Sequence, residues 1–367
     1  MKIAITGNMG YVGPSVVQQL RRSHPGATLI GIDTGYFAHC LTVNDLLPEC
    51  RLDVQHFLDV RDATAEPFSG VDCVVYLAAI SNDPMGAQFE QVTLDVNQFA
   101  ARRMAEQAKR SGARSFVFAS SCSVYGFAEG GPRTEEAALN PLTAYARSKV
   151  GAECDLAGLA DKSFSVTCLR FATACGFSPR LRLDLVLNDF VASALVSKKI
   201  TILSDGTPWR PLIHVKDMAR AIDWAVRREP TNGGAFLTVN AGSNGWNYQV
   251  RDLAQAVASI VPGTEISINP NAQPDKRSYQ VSFDKFAKLA PDFQPQVDLL
   301  SAVQDLKTGL DAMGFNDPQF RTSQYIRLNL LKQLRTAGLL DGCLKWTFST
   351  SSMRTGSVVK EPVHSSI

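Results

Sequence analysis

Two hydrophobic rhythms alternate along this chain. Short apolar runs read as strands buried on both faces: Ile3 to Ile5, Thr28 to Ile32, Cys73 to Leu77, Ser115 to Ala119 and Phe164 to Leu169, with a weaker one at Gln55 to Leu58. Between them, apolar residues fall three or four apart, which is the spacing of one helix face. Val12, Val16 and Leu20 mark the first such helix, with Pro14 in its first turn and His24-Pro25-Gly26 as its stop. Gln91 to Ser111 reads as one helix with Val92, Val96 and Phe99 on its buried side, and Thr143 to Leu159 as another. Strict alternation of strand and helix predicts an α/β fold with a doubly wound parallel sheet and right-handed crossovers.

The second half alternates less regularly. Helices are predicted at Leu183 to Ser197, Asp217 to Arg228, Gln249 to Val261, Phe283 to Leu289 and Asp298 to Met313. Strands are predicted at Ile200 to Leu203, Pro211 to Val215, Phe236 to Asn240 and Glu265 to Ile268. This pattern suggests a Rossmann-type domain over residues 1–170, with a return of the chain near 205–245, and a smaller C-terminal α/β substrate domain over 171–345. The last stretch, 346–367, reads as a tail; from Thr347 on it is rich in Ser and Thr, lacks apolar periodicity and has little to anchor it.

Composition narrows the function classes. At 367 residues and a formal net charge of +2, with no long basic block, nothing points to nucleic acid or to an anionic membrane. No apolar run is long enough to span a bilayer, and the first is too short for a signal peptide, so a cytoplasmic protein is expected. The eight cysteines include no C-x-x-C pair and several lie in strand-like runs, which suits buried free thiols in a reducing compartment. The five histidines lack metal-ligand spacing, and no metal is expected.

The first candidate chemistry lies between the first strand and the first helix, in Thr6-Gly7-Asn8-Met9-Gly10-Tyr11-Val12-Gly13. Gly7 permits a sharp turn, Gly10 permits close approach of a ligand to the backbone, and Gly13 permits the helix to pack close to the strand. The first N–H groups of that helix then offer a site for a pyrophosphate. Asp33 ends the second strand twenty residues past Gly13, where a dinucleotide fold places the acid that binds the adenosine ribose hydroxyls. A carboxylate there repels a 2′-phosphate, which favours NAD over NADP.

The second lies where the strand at Ser115 runs into Ser120-Ser121-Cys122-Ser123-Val124-Tyr125-Gly126, a hydroxyl-rich tip at the ligand-binding edge of the sheet. Tyr145 and Lys149, four residues apart, share one helix face. Y-x-x-x-K alone is common; joined to the glycine turn, Asp33 and the serine tip in this order, it points to oxidation and reduction of an alcohol carbon. The lysine is expected to favour the phenolate of Tyr145, which then takes a hydroxyl proton, with Ser121 holding the same oxygen.

These motifs resemble those of the extended short-chain dehydrogenase/reductases, and within them the NAD-dependent nucleotide-sugar epimerase/dehydratase branch. The similarity continues through Leu169-Arg170-Phe171, Trp209 to Asp217 and Ser278-Tyr279, and covers roughly residues 1–310. It implies a bound, recycled NAD with Asp59 and Val60 at the adenine, Leu77, Ala78 and Ala79 along the cofactor, and Asn97 beneath it. Met9, Tyr11, Val12, Thr34 and Phe171 are further cofactor candidates. Ser121, Tyr145 and Lys149 become the catalytic trio. Asn188 and Arg210 match positions that hold the nucleotide diphosphate, Arg277 is a weaker candidate, and Asn82 and Ser123 are placed at the substrate. Thr173 stands where sugar epimerases often carry an asparagine. A homodimer is implied, paired through the helix that carries Tyr145.

Departures from the family's patterns separate the reactions. Family dehydratases carry Asp-Glu just after the catalytic hydroxyl, where this chain has Cys122 and Ser123. Family 3,5-epimerases carry a cysteine two places after the serine, where this chain has Ser123, and Cys122 is expected to pack. The remaining groups suit 4-epimerisation through a transient keto sugar. A keto-sugar reductase or dehydrogenase would use the same groups, and a non-catalytic dinucleotide-binding regulator would be expected to have lost Tyr145 or Lys149.

Overall fold

The computed structural model describes residues 1–42, 46–127, 130–269, 272 and 278–348. The first half of the chain runs β1 (Lys2–Thr6), α1 (Gly13–Ser23), β2 (Thr28–Asp33), β3 (Val54–Phe57), β4 (Cys73–Tyr76), α2 (Asp83–Gln88), α3 (Glu90–Leu94), α4 (Ala101–Arg110), β5 (Ser115–Ser121), α5 (Ala144–Ala157) and β6 (Ser165–Phe171). The second half runs β7 (Thr173–Cys175), α6 (Val186–Ser197), β8 (Lys199–Ile202), β9 (Trp209–His214), α7 (Val215–Arg227), β10 (Phe236–Ala241), β11 (Asn247–Gln249), α8 (Val250–Ile260), β12 (Glu265–Ile268), α9 (Asp284–Leu289), α10 (Leu299–Ala312) and α11 (Arg327–Thr336).

Seven strands form one parallel sheet in the order β10-β6-β5-β4-β1-β2-β3. Ile3, Ile5, Val75, Val117 and Leu169 face α1 and α7 on one side, and Ala4, Val74, Phe116, Phe118 and Val166 face α2 to α5 on the other. Burial on both faces explains why these strands read as continuous apolar runs. This is the Rossmann-type doubly wound sheet that the alternation predicts. The strand order reverses between β1 and β4, which opens a crevice beyond their carboxyl ends. The second lobe gathers α6, α8 and α10 around a separate core that includes Val191, Leu253 and Leu306. Its strands form a three-stranded sheet, β11-β9-β7, and a parallel pair, β12-β8.

Besides α2, β7, β11 and α11, which the sequence reading does not include, two stretches differ from it. The helix expected over Gln91 to Ser111 is interrupted by a wider π-helical turn at Asp95–Ala100. The surplus residue rotates the downstream positions around the helix axis, so Phe99, expected on the buried side, is 51% exposed. The second stretch is the C-terminus. Leu330, Leu331, Leu334, Leu340 and Leu344 join the core on the α2–α5 side of the sheet, so the chain turns back onto the first lobe. The expected loss of anchorage at Thr347 does not occur there: its N–H donates to Leu339 O at 3.0 Å. Positions 349–367 lie outside the described residues. Among the described residues, no helix is long and apolar enough to cross a membrane.

Candidate active site

A cavity of about 1120 Å³ occupies the crevice and continues between the sheet and the second lobe. The glycine turn forms its floor. A Cβ on Gly7, which sits at φ +71, would lie 2.7 Å from Ala78 N, and one on Gly13 would lie 2.1 Å from Asn8 O. Packing therefore demands glycine at both positions. Gly10 is different: only Gly7 O lies near its missing side chain, at 3.1 Å, and the rest of that space is open toward the cavity. Two glycines build the turn and the third leaves room above it, an arrangement that fits a pyrophosphate laid on the entry to α1.

Asp33 closes β2 beside this turn. Its two carboxylate oxygens accept from Met9 N at 3.0 Å and from Gly35 N at 2.8 Å. Burial pushes its pKa up, and these two bonds pull the other way. Thr34, Asp59, Val60, Leu77, Ala78 and Ala79 line the same half of the cavity. Asp59 is held by a fork from Arg61, whose Nε lies 3.0 Å from both oxygens and whose Nη2 lies 2.5 Å from one.

The opposite wall is the tip of β5 and the first turns of α5. Thr143 caps α5 by accepting from Ala146 N at 3.1 Å, which fixes the turn that carries Tyr145. Gly86 lets α2 approach, since a Cβ there would stand 3.2 Å from Tyr145 N. Ser121 Oγ accepts from Ser123 N at 3.1 Å and hydrogen-bonds Tyr145. Lys149, on the same face as Tyr145, donates from Nζ to Ala119 O at 2.7 Å. That ammonium also stands 4.6 Å from the Phe118 ring centroid and 5.6 Å from that of Tyr145.

The electrostatics correct one expectation. Burial brings the Lys149 ammonium down to about 7, against its ordinary 10.5, with Glu153 opposing. Burial likewise pushes the Tyr145 phenol up, and what opposes it is the Ser121 hydrogen bond and then the Arg182 guanidinium. The expected lysine-lowered phenol is therefore not what the protein groups alone produce, because desolvation outweighs the nearby charges.

Of the remaining predicted residues, Tyr11, Val12, Phe171, Asn82, Ser123, Thr173 and Arg210 line the cavity. Ser123 Oγ is buried there without a hydrogen-bond partner. Asn82 is engaged within the protein, capping α2 and donating to Asp184 at 2.7 Å. Met9, Asn97 and Asn188 are buried away from the cavity surface. Asn97 accepts from Ile80 N at 2.9 Å and donates to Ser148 Oγ at 3.0 Å, which ties the exit of β4 to α5. The Asn188 amide is used inside the protein, on Gly176, on Arg182 O and on the Tyr11 hydroxyl. Cys122 points into the core, its thiol donating to Arg170 O at 3.1 Å, and burial pushes its pKa far up. Arg277 lies outside the described residues.

Sequence reasoning missed Arg182. It lines the cavity, bonds Ser81 Oγ at 3.1 Å and pairs with Asp184 at 2.9 Å. Burial opposes its charge, but Asp184 keeps its pKa raised. No motif marks it; it stands in the mixed stretch Arg180-Leu181-Arg182-Leu183-Asp184, where alternating charges look like any polar loop.

Comparisons with known proteins give the family and the fold. A family model described as the NAD dependent epimerase/dehydratase family matches residues 3–242. An uncharacterized UDP-glucose epimerase of Bacillus subtilis, YtcB, is 32% identical over 254 residues, which is 66% of this chain and 77% of its own length. A dTDP-glucose 4,6-dehydratase of Streptomyces griseus is 27% identical over 304 residues, covering 81% of this chain and 90% of that protein. A UDP-glucuronic acid 4-epimerase of Bacillus cereus, solved with UDP-glucuronic acid and NAD, has the same fold at TM-score 0.72 and 21% identity. The match spans 100% of that chain but 85% of this one, so part of this chain is additional to the shared fold. With the family model matching residues 3–242, well over half of its length, the chain belongs to the NAD-dependent epimerase/dehydratase family.

Proposed function

We propose that this protein inverts C4 of a nucleotide-activated sugar through a transient 4-keto sugar. The observation that carries this reading is the wall of Ser121, Tyr145 and Lys149, in which Cys122 turns into the core and neither position 122 nor 123 bears a carboxylate. A 4,6-elimination needs an acid and a base at the tip, and inversion at C4 does not.

In this reading NAD, when bound, supplies the hydride acceptor and then the hydride donor at C4. Gly7, Gly10, Tyr11, Val12 and Gly13 would hold its pyrophosphate, Asp33 and Thr34 its adenosine ribose, and Asp59 and Val60 its adenine. Leu77, Ala78, Ala79 and Phe171 would line its length. The Tyr145 Oη takes the proton of the sugar hydroxyl and later returns it. The Ser121 Oγ bonds the same oxygen and keeps it within reach of Tyr145. Lys149, with a pKa of about 7, stands ready to gain or lose a proton at neutral pH beside the phenol. Arg210 on β9 suits the diphosphate of the nucleotide, since a guanidinium binds phosphate through two parallel bonds. Asn188 is better read as support for Tyr11 and Arg182 than as a ligand contact.

The sheet would then be the cofactor domain and the lobe built on α6, α8 and α10 the substrate domain. A homodimer would pair through the α4–α5 face, where Phe99 is exposed. The names of the relatives make UDP-hexoses the first substrates to test.

The test is an accounting of cofactor. Purified protein supplied with UDP-glucose, UDP-galactose and their uronic acids is expected to interconvert a C4 pair with no net change in NADH absorbance. Stoichiometric formation of NADH from added NAD would instead establish a dehydrogenase, and NADH consumed with a supplied 4-keto sugar a reductase. Tight NAD binding with no turnover of any sugar, unchanged in a Tyr145→Phe variant, would leave only a dinucleotide-binding regulator.

A further inference from the structure

Beyond α11 the chain forms a hook, residues 337–348, whose contacts converge on one half of the cavity. Asp341 organises it. Its Oδ1 accepts from Cys343 N and from Lys345 N, both at 2.8 Å. Its own N–H donates to Lys345 O at 2.9 Å. Leu344 adopts φ +56, a left-handed conformation unusual for leucine, and is fully buried. Leu344 and Leu340 join the core that contains Ile32, Tyr36 and Val60.

The polar contacts of the hook reach two loops. Leu344 O accepts from the Tyr36 hydroxyl and, at 3.3 Å, from Arg61 Nη2. Cys343 O accepts from Arg61 Nη1 at 2.6 Å. Arg61 is the same residue that grips Asp59. Trp346 donates from Nε1 to Thr34 O at 2.8 Å, and its ring lies 5.8 Å from that of Tyr36. Lys345 Nζ bonds Asp62 at 2.6 Å. Thr34, Tyr36, Asp59 and Val60 all line the cavity.

We infer that the hook is a built part of the adenosine end of the cofactor site, with Arg61 and Trp346 as its positioning residues. The inference rests on the proposed reading of the cavity as a dinucleotide site. Anchoring a chain end requires only the two buried leucines. The hook does more: it fixes the loop after β2 and the loop after β3 relative to each other. Those loops flank the place where the adenosine would lie, and each is bonded through a backbone carbonyl or a forked ion pair, contacts that specify position. A loop pair fixed before binding loses less freedom when the ligand arrives, which tightens binding and slows release. The hook is a short segment outside the sheet, so it can open locally while the sheet stays folded.

The test compares the wild-type chain, a chain ending at Thr336, and Trp346→Ala. The probes are NAD, AMP and UDP, read by calorimetric affinity and by the rate at which bound NAD is lost. Losing the Trp346 contacts is expected to weaken NAD and AMP by about fivefold, and losing the whole hook by about tenfold or more, given typical hydrogen-bond contributions. UDP affinity is expected to stay within twofold, since a merely loosened fold would not distinguish adenosine from uridine. Removing the hook uncovers Leu330 and Leu331, and if that shorter chain does not fold, Trp346→Ala decides. Unchanged NAD affinity and release in a Trp346→Ala protein that melts like wild type would overturn the inference, as would a loss falling equally on UDP. Wild-type protein that binds neither NAD nor AMP would overturn the reading of the cavity itself, and the inference with it.

Discussion

The two walls of the cavity are made in different ways. The inner wall consists of the glycine turn, the tip of β5 and α5. Its groups sit at the carboxyl ends of parallel strands of one sheet or at the entries of the helices that follow them, and backbone geometry fixes them. The outer wall consists of Arg182, Arg327 at the start of α11 and the loops after β2 and β3 that the hook holds from behind. Its groups meet the site only after the chain has folded back, as when Trp346 reaches Thr34 across more than three hundred positions. The inner wall is thus a product of strand and helix geometry, and the outer wall a product of long-range packing. Chemistry is expected to fail when Ser121, Tyr145 or Lys149 of the inner wall is altered, and affinity when the glycine turn or the outer wall is altered.

The sharpest break in this comparison is Tyr145→Phe. It removes only a hydroxyl, so kcat is expected to fall by about 10²- to 10⁴-fold while NAD retention stays near wild type. Steady-state kinetics beside a count of released nucleotide checks both halves. A loss of NAD instead would move Tyr145 from the chemistry to the binding of the cofactor.

Lys149→Met comes next. The folded-state pKa of Lys149, about 7, lies below its ordinary 10.5. Between those values the unfolded chain holds a proton that the folded chain has shed, so cofactor-free wild type is expected to gain stability as pH rises through that window. Below pH 7 the buried charge costs the folded state most. The methionine variant should therefore be more stable by a few kcal/mol at pH 6, with the difference fading toward pH 10. Denaturant midpoints across pH would show it, and a constant difference would mean the ammonium is better solvated than its surroundings suggest.

Smaller effects separate the glycines. Gly13→Ala drives a methyl into Asn8 O and is expected to cost about 2 kcal/mol or more. Gly10→Ala, with open space before it, should melt near wild type yet bind NAD more weakly. Equal destabilisation by both would erase the distinction between a glycine that packs and one that makes room. The smallest effect is expected behind the outer wall. Leu344→Ala removes a fully buried side chain, but its cost is limited to the free energy that docks the hook, because the hook can release alone. Global melting should shift little, while amide exchange across 337–348 rises sharply.

The legibility of the sequence follows the same division. The sheet strands could be read because burial on both faces writes a continuous apolar run. Gly7, Gly13 and Asp33 could be read because the turn that joins a strand to a helix has few solutions. Tyr145 and Lys149 could be read because helical spacing alone puts them on one face. Arg182 could not, since its role depends on Asp184 and Ser81, brought together from separate segments. Asn188, expected at the nucleotide diphosphate, has its amide on Gly176 and Arg182 O, since a polar residue near a ligand site can as well satisfy buried backbone groups. The sign of the Tyr145 shift was missed because charge proximity is visible in spacing and desolvation is not. α11 carried its signal in Leu330, Leu331 and Leu334, but nothing local said which lobe they would join.

The surplus residue in the turn at Asp95–Ala100 constrains how this helix can vary. It brings Asn97 inward to Ile80 and Ser148 while sending Phe99 out to solvent. Deleting any one of those six residues would restore regular winding, and the helix by itself would gain. The segments on either side would keep their phase, because the bulge only absorbs the extra residue, and what would change is the placement of the residues inside the turn, Asn97 among them. The surplus residue therefore serves the bonds of Asn97 to Ile80 and Ser148, and not the register of the helix.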